Sequence, residues 1–89
     1  EFQTEEFPIV SISEGSGNRS GLFGYATLRM PQGHTFDANA RGDEKLYRKI
    51  LQNKEIYINK LATVRYQNLT PGKNPVPRFP VIIDFDRFD

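Results

Sequence analysis

The chain has no cysteine. That excludes disulfides, thiolate metal sites and a cysteine nucleophile, and it fits an intracellular protein. There is no tryptophan, so a core must be built from seven Phe, four Tyr and the aliphatic residues. His34 is the one histidine, so no multi-histidine metal site can form within this chain. No apolar run approaches the ~18 residues of a membrane span, and no signal peptide is visible. Net charge is also scarce, at +1. Any basic surface must therefore come from uneven placement of the twelve Lys and Arg. With 89 residues the chain is expected to form one domain, spanning 1–89.

Short strands with turn signals between them are what is present. "FPIVSISEG" alternates, with Phe7, Ile9 and Ser11 on one side and Pro8, Val10 and Ile12 on the other. Pro8 cannot donate to a ladder, so an edge strand is expected. "EGSGNRSG" reads as a loop whose backbone N–H groups are free to point outward. "LFGYATLRM" places Leu22, Gly24, Ala26, Leu28 and Met30 on one face. Phe23, Tyr25, Thr27 and Arg29 take the other. Gly24 inside such a strand marks a bulge or strong bend. Phe23 is expected at the core or rim, while Tyr25 is open between surface and core.

"MPQGHTF" is a hairpin turn leading into a third strand, "HTFDANA". "RGDEKLYRKILQN" changes period: Leu46, Tyr47, Ile50 and Leu51 share one helical face, with Asp43 as N-cap. "EIYINKLATVRYQNL" is strand-like again, with Ala62, Val64 and Tyr66 facing one way. After "TPGKNPVP", a final strand carries Phe79, Val81, Ile83 and Phe85 on one face, with Phe79 and Val81 serving the core. The fold class is mostly β. Five strands with one helix between the third and fourth is the layout of an oligonucleotide/oligosaccharide-binding (OB-fold) barrel, though other small barrels share such spacings.

Candidate functional residues are basic. Arg29 and Arg65 sit on polar strand faces, and outward positions of a barrel can form a groove for a nucleic-acid backbone. Arg19, Lys60, Lys73 and Arg78 lie in or beside loops and could flank it. Ordinary solvated charges are the plain alternative. Asp84, Asp86 and Asp89 lack companions for an oxygen cage and read as a solvated edge, so no metal site is expected. His34, in a turn, reads as structural or exposed rather than catalytic. "GSGNRSG" lacks the Gly-Lys-Ser/Thr ending of a phosphate loop.

The run "KLATVRYQNLTPGKNPVPRFPV" resembles the C-terminal OB-fold domain of compact viral, phage and bacterial ATP-dependent DNA ligases. Those domains read GK-x-A/V-T-V-R/K-Y and then PRFPV. Here the matching residues are Asn59 to Tyr66 and Pro77 to Val81. "EEFPIV", "EGSGNRSGLFG" and "GHTFDANARGDE" fit the same order, so the resemblance covers nearly the whole chain. Asn59 replaces the family's Gly and best tolerates a positive φ. Asp86 stands where the family's final motif has Arg, with Arg87 one residue later.

The resemblance implies an excised domain of a larger ligase, active in DNA repair or replication. The parent would use ATP and Mg2+, neither held by this domain alone. Its implied partners are nicked double-stranded DNA and a nucleotidyltransferase domain of the same polypeptide, the barrel being a monomer in the cytoplasm of a bacterium or infected host cell. Arg19, Arg29, Lys60 and Arg65 would contact DNA. Arg78 and Arg87 would serve domain closure and the nucleotide phosphates. No catalytic residue is expected in this chain, because the KxDG adenylation motif is absent. A free-standing single-strand-binding barrel and a protein-interaction module are the alternatives.

Overall fold

A computed structural model describes residues 2–87, and the side chains of residues 2–85. Five strands, β1 (Gln3–Glu14), β2 (Phe23–Arg29), β3 (Thr35–Ala40), β4 (Leu61–Tyr66) and β5 (Val81–Arg87), form a closed barrel in the order β1-β2-β3-β5-β4. Pairing is antiparallel except between β3 and β5, which run parallel with Asn39 opposite Val81 and Ala40 opposite Ile82. The connection from β3 to β4 carries helix α1 (Glu44–Gln52) and a single turn, α2 (Lys54–Tyr57). This is the OB layout expected from the order of elements.

β1 is not an edge strand. It pairs with β4 from Gln3 to Pro8 and with β2 from Ile9 to Glu14, so it is a stave shared by two halves of the barrel. A closed barrel has no edges, and Pro8 is tolerated because it sits where the strand passes from one partner to the other. At that handover the Ile9 N–H donates to the Lys60 carbonyl at 2.9 Å, and the Asn59 N–H donates to the Ile9 carbonyl at 2.8 Å. Asn59 has φ 76°, the left-handed conformation its residue type accommodates.

Register shifts decide which residues point inward. A shift between Ile9 and Ser11 changes the buried parity from Phe7 and Ile9 to Ile12. A second shift, between Ser13 and Glu14 opposite Gly24, turns Phe23 fully inward although strand alternation puts it on the outer face. Gly24 is required there, since a Cβ would stand 2.8 Å from the Gly15 nitrogen. A third shift, in the β4–β5 ladder, pairs Thr63 with Asp84 but Val64 with Ile82. Ile82 is thereby fully buried, whereas Ile83 is 41% exposed.

Two other expectations fail. The segment 54–57 is helical rather than extended. A short apolar run does not distinguish the two periods, and one helical turn lets Tyr57 pack edge-on to Phe85 at 5.9 Å. Phe79 does not serve the core: it is 71% exposed with φ 52°. The β4–β5 loop closes on itself through Gln67 N–H to Arg78 carbonyl and Arg78 N–H to Asn68 carbonyl, and Val76 packs against the core instead. Val81 is half-buried.

Phenylalanine does the packing that tryptophan would otherwise do. Phe7 meets Phe36 edge-to-face at 5.1 Å, and Phe23 meets Phe85 at 5.6 Å. α1 covers this core with Ile50, which is fully buried, and with Leu46, Tyr47 and Leu51 at its margin. Asp43 caps the helix by accepting from the Leu46 N–H at 2.9 Å, as its position in the sequence implies. Among the described residues, no helix is long and apolar enough to cross a membrane.

Candidate nucleic-acid interface

Arg65 is the central basic residue of the barrel wall. Inward Val64 and Tyr66 flank it, so strand alternation turns Arg65 outward, between Thr4 of β1 and Val81 of β5. Its guanidinium carbon lies 4.5 Å from the centroid of the Phe2 ring, a cation–π geometry. Phe2, Arg41, Arg65, Phe79, Val81 and Ile83 line a cleft of about 100 Å³. Two guanidinium groups and exposed aromatic rings thus meet on one outer face. Such a set can hold a phosphate while a flat group rests on a ring.

The other expected residues are dispersed. Arg29 is exposed at the end of β2, but β1 separates β2 from β4, so Arg29 and Arg65 are not on adjacent strands. Leu28 pairs with Ile9, which sets Arg29 near Pro8, while Arg65 pairs with Thr4, so the two arginines lie roughly 13 Å apart along β1. Lys60 is half-buried immediately before β4. Arg78 is exposed, and its backbone is bonded to Gln67, two residues beyond Arg65, so both belong to the β4–β5 end of the barrel. The Arg87 side chain lies outside the described residues, as do those of Asp86 and Asp89; the Arg87 backbone pairs with Leu61.

Arg19 is held by the fold. It donates to the Phe23 carbonyl at 3.0 Å and lies over the Tyr47 ring at 5.0 Å, tying the first loop to α1. The loop N–H groups, expected to be free, are largely committed. Those of Arg19, Ser20 and Leu22 bond within the turn, and the Gly21 N–H donates to the Glu14 carboxylate at 2.7 Å. That loop offers few donors for a phosphate.

His34 and Tyr66 are both tied into the fold. His34 Nε2 donates to the Pro75 carbonyl at 2.6 Å, since that oxygen can only accept. Tyr66, 2% exposed, donates its hydroxyl to Glu5 at 2.5 Å. Burial first, then the Glu5 hydrogen bond and charge, push the Tyr66 pKa up to about 12. Tyr25 is 40% exposed in a depression with Asp37, Asn39 and Pro80, which neighbours the Arg65 cleft through Val81. Among the described residues, no three His, Asp or Glu side chains gather as metal ligands.

Sequence reasoning missed Arg41, Phe2 and Ile83. Arg41 follows the last residue of β3, and its N–H donates to the Ile82 carbonyl at 2.9 Å, which anchors it beside β5. In the sequence it is only a charge before a helix cap. No signal there links it to Arg65, because the parallel β3–β5 contact brings them together.

Solved structures that this fold resembles include DNA ligases. The Chlorella virus DNA ligase–adenylate structure matches 99% of this chain with TM-score 0.79 and 28% identity, and the match covers 32% of the ligase. A Lig E DNA ligase matches 96% at TM-score 0.76 and 22% identity, covering 30% of that chain. A structure described as Pmar-Lig_Pre matches 100% at TM-score 0.83 and 20% identity, covering 22%. No family model and no curated protein sequence matches the chain. The chain therefore spans between about a fifth and a third of the ligases it resembles, and it has the barrel fold of one of their parts. The resemblance carried by "PRFPV" and "ATVRY" is matched in three dimensions along the whole chain.

Proposed function

We propose that this barrel is the OB domain of an ATP-dependent DNA ligase. It grips nicked duplex DNA through the phosphate backbone and closes over the nucleotidyltransferase domain of the same polypeptide during adenylation and sealing. The observation that carries this reading is the likeness to the Chlorella virus ligase–adenylate over 99% of the chain. The outward Arg65–Arg41 cleft supplies a surface suited to phosphate. Backbone contacts suit a sealing enzyme, because they hold a duplex without regard to sequence.

Lys60, Arg65 and Arg29 take the DNA phosphates in this reading, and Arg19 acts by holding the first loop on α1. Arg78, and Arg87 beyond it, serve the closing step; Asp86 puts an acid where the family carries Arg, which weakens pyrophosphate contact there. The chain has no adenylation lysine, so ATP and Mg2+ would act in the partner domain and supply the nucleotidyl transfer. Charge reversal tests the DNA-facing assignment. Lys60→Glu/Arg65→Glu should weaken binding of a nicked duplex by the 89-residue chain at least about tenfold at low salt, measured by fluorescence anisotropy. Undiminished binding would sink the assignment.

A second reading, single-strand binding, draws on Phe2 and Phe79, exposed by 55% and 71% beside the cleft. Competition separates the two: a nicked duplex should displace a labelled single strand, and the reverse order of affinity would favour the second reading.

A further inference from the structure

We infer that the nucleic-acid surface continues past the Arg65 cleft, over the corner between β3 and α1, and along the outer face of α1, where Lys45 and Lys49, beside the Glu44-paired Arg48, form a second phosphate-tracking site. The inference rests on the DNA reading above and extends it to an element that the sequence treats as a core-covering helix.

Continuity of the surface is the first argument. Arg41 and Ile83 line both the Arg65 cleft and a neighbouring depression formed with Leu46, Lys49, Tyr57, Asp84 and Phe85. Lys49 in turn lines a wider depression with Glu44, Lys45, Arg48 and Gln52. One uninterrupted path therefore runs through Arg65, Arg41, Lys49, Lys45 and Arg48. Helical spacing produces the last part: Lys45, Arg48, Lys49 and Gln52 share the face opposite Leu46, Tyr47, Ile50 and Leu51.

Charge balance is the second argument. Five bases on the path, Arg65, Arg41, Lys49, Lys45 and Arg48, outnumber its three acids, Asp43, Glu44 and Asp84. Asp43 accepts from the Leu46 N–H, Glu44 pairs with Arg48 at 2.6 Å, and Asp84 has an interaction of its own. Among the described residues, Arg41, Lys45 and Lys49 have no such ion pair. Of the other described acids, Glu5, Glu6, Glu14 and Asp37 lie on β1 and β3, and Glu55 on α2. A net charge of +1 thus hides a path with an excess of two positive charges, five bases less three acids.

The partner follows from shape and chemistry. From Lys45 to Gln52 the helix rises roughly 10 Å, the span of about three phosphates of one duplex strand. The apolar residues of α1 face the barrel, so the helix has no face to bury in lipid.

The test titrates the 89-residue chain against a nicked duplex at several salt concentrations. Lys45→Glu/Lys49→Glu should cost about tenfold in affinity at low salt. It should also flatten the dependence of log K on log salt by about 2, for two lost contacts. Lys45→Gln/Lys49→Gln should fall between that variant and wild type, with an unchanged melting temperature showing an intact barrel. If both variants bind with unchanged affinity and slope while Lys60→Glu/Arg65→Glu abolishes binding, the helix track is wrong and the DNA reading stands. If wild type fails to bind the duplex, the DNA reading fails and this inference with it. Equal affinity of wild type for phosphatidylserine vesicles or polyglutamate would overturn the assignment to nucleic acid.

Discussion

Tyr66 is the residue whose chemistry the fold changes most clearly. Its ring packs near Phe7, with centroids 6.4 Å apart, and its hydroxyl reaches Glu5 on the neighbouring strand. Its pKa rises from 10.0 to about 12, so the folded state favours the protonated phenol. A group whose folded pKa is raised contributes its full stability below the unfolded value and loses it as pH climbs toward the folded one. Wild type should therefore lose stability relative to Tyr66→Phe between pH ~10 and ~12. Urea melts of both proteins across that window check this, and a constant difference would refute it. Asn59 and Phe79 show how far single residues can be read. The positive φ of Asn59 was legible, because few residue types tolerate it. That of Phe79 was not, because an aromatic residue between Arg78 and Pro80 reads as part of a strand.

At the scale of the element, α1 was legible and the inward faces of the bulged strands were not. The helix follows from its apolar spacing and its Asp43 cap. A bulge exchanges the faces of everything beyond it, and its position depends on the partner strand, which a single sequence does not specify. β5 is the sharpest instance. Alternation through Phe79, Val81 and Ile83 points the wrong set inward, because the register shift opposite Thr63 makes Ile82 the buried residue. Ile82→Ala should cost about 2–4 kcal/mol of unfolding free energy, and Ile83→Ala less than about 1. Chemical denaturation of the two variants decides between the registers, and the reverse ranking would restore the alternating face.

For the whole molecule, the distribution of charge matters more than its sum. Bases outnumber acids along the path from Arg65 to α1, so a chain with net charge +1 can still meet a polyanion. Contacts of this kind release counterions, and about four of them predict a loss of roughly a hundredfold in duplex affinity between 50 and 200 mM salt. Salt titration of the 89-residue chain measures this, and a flat profile would count against backbone binding. Affinity of the lone barrel should be modest, and tethering to a partner domain raises its effective concentration.

The sequence by itself determined the number and order of the strands, the helix between the third and fourth, and the resemblance carried by "PRFPV" and "ATVRY". These are local properties: period, turn residues and short motifs survive without knowledge of neighbours. Only the tertiary structure decided that β1 is a shared stave, that Phe23 and Ile82 point inward, and that Arg65 lies with Arg41 rather than beside Arg29. Those depend on barrel closure and on the parallel contact between β3 and β5, which bring together residues far apart in the chain.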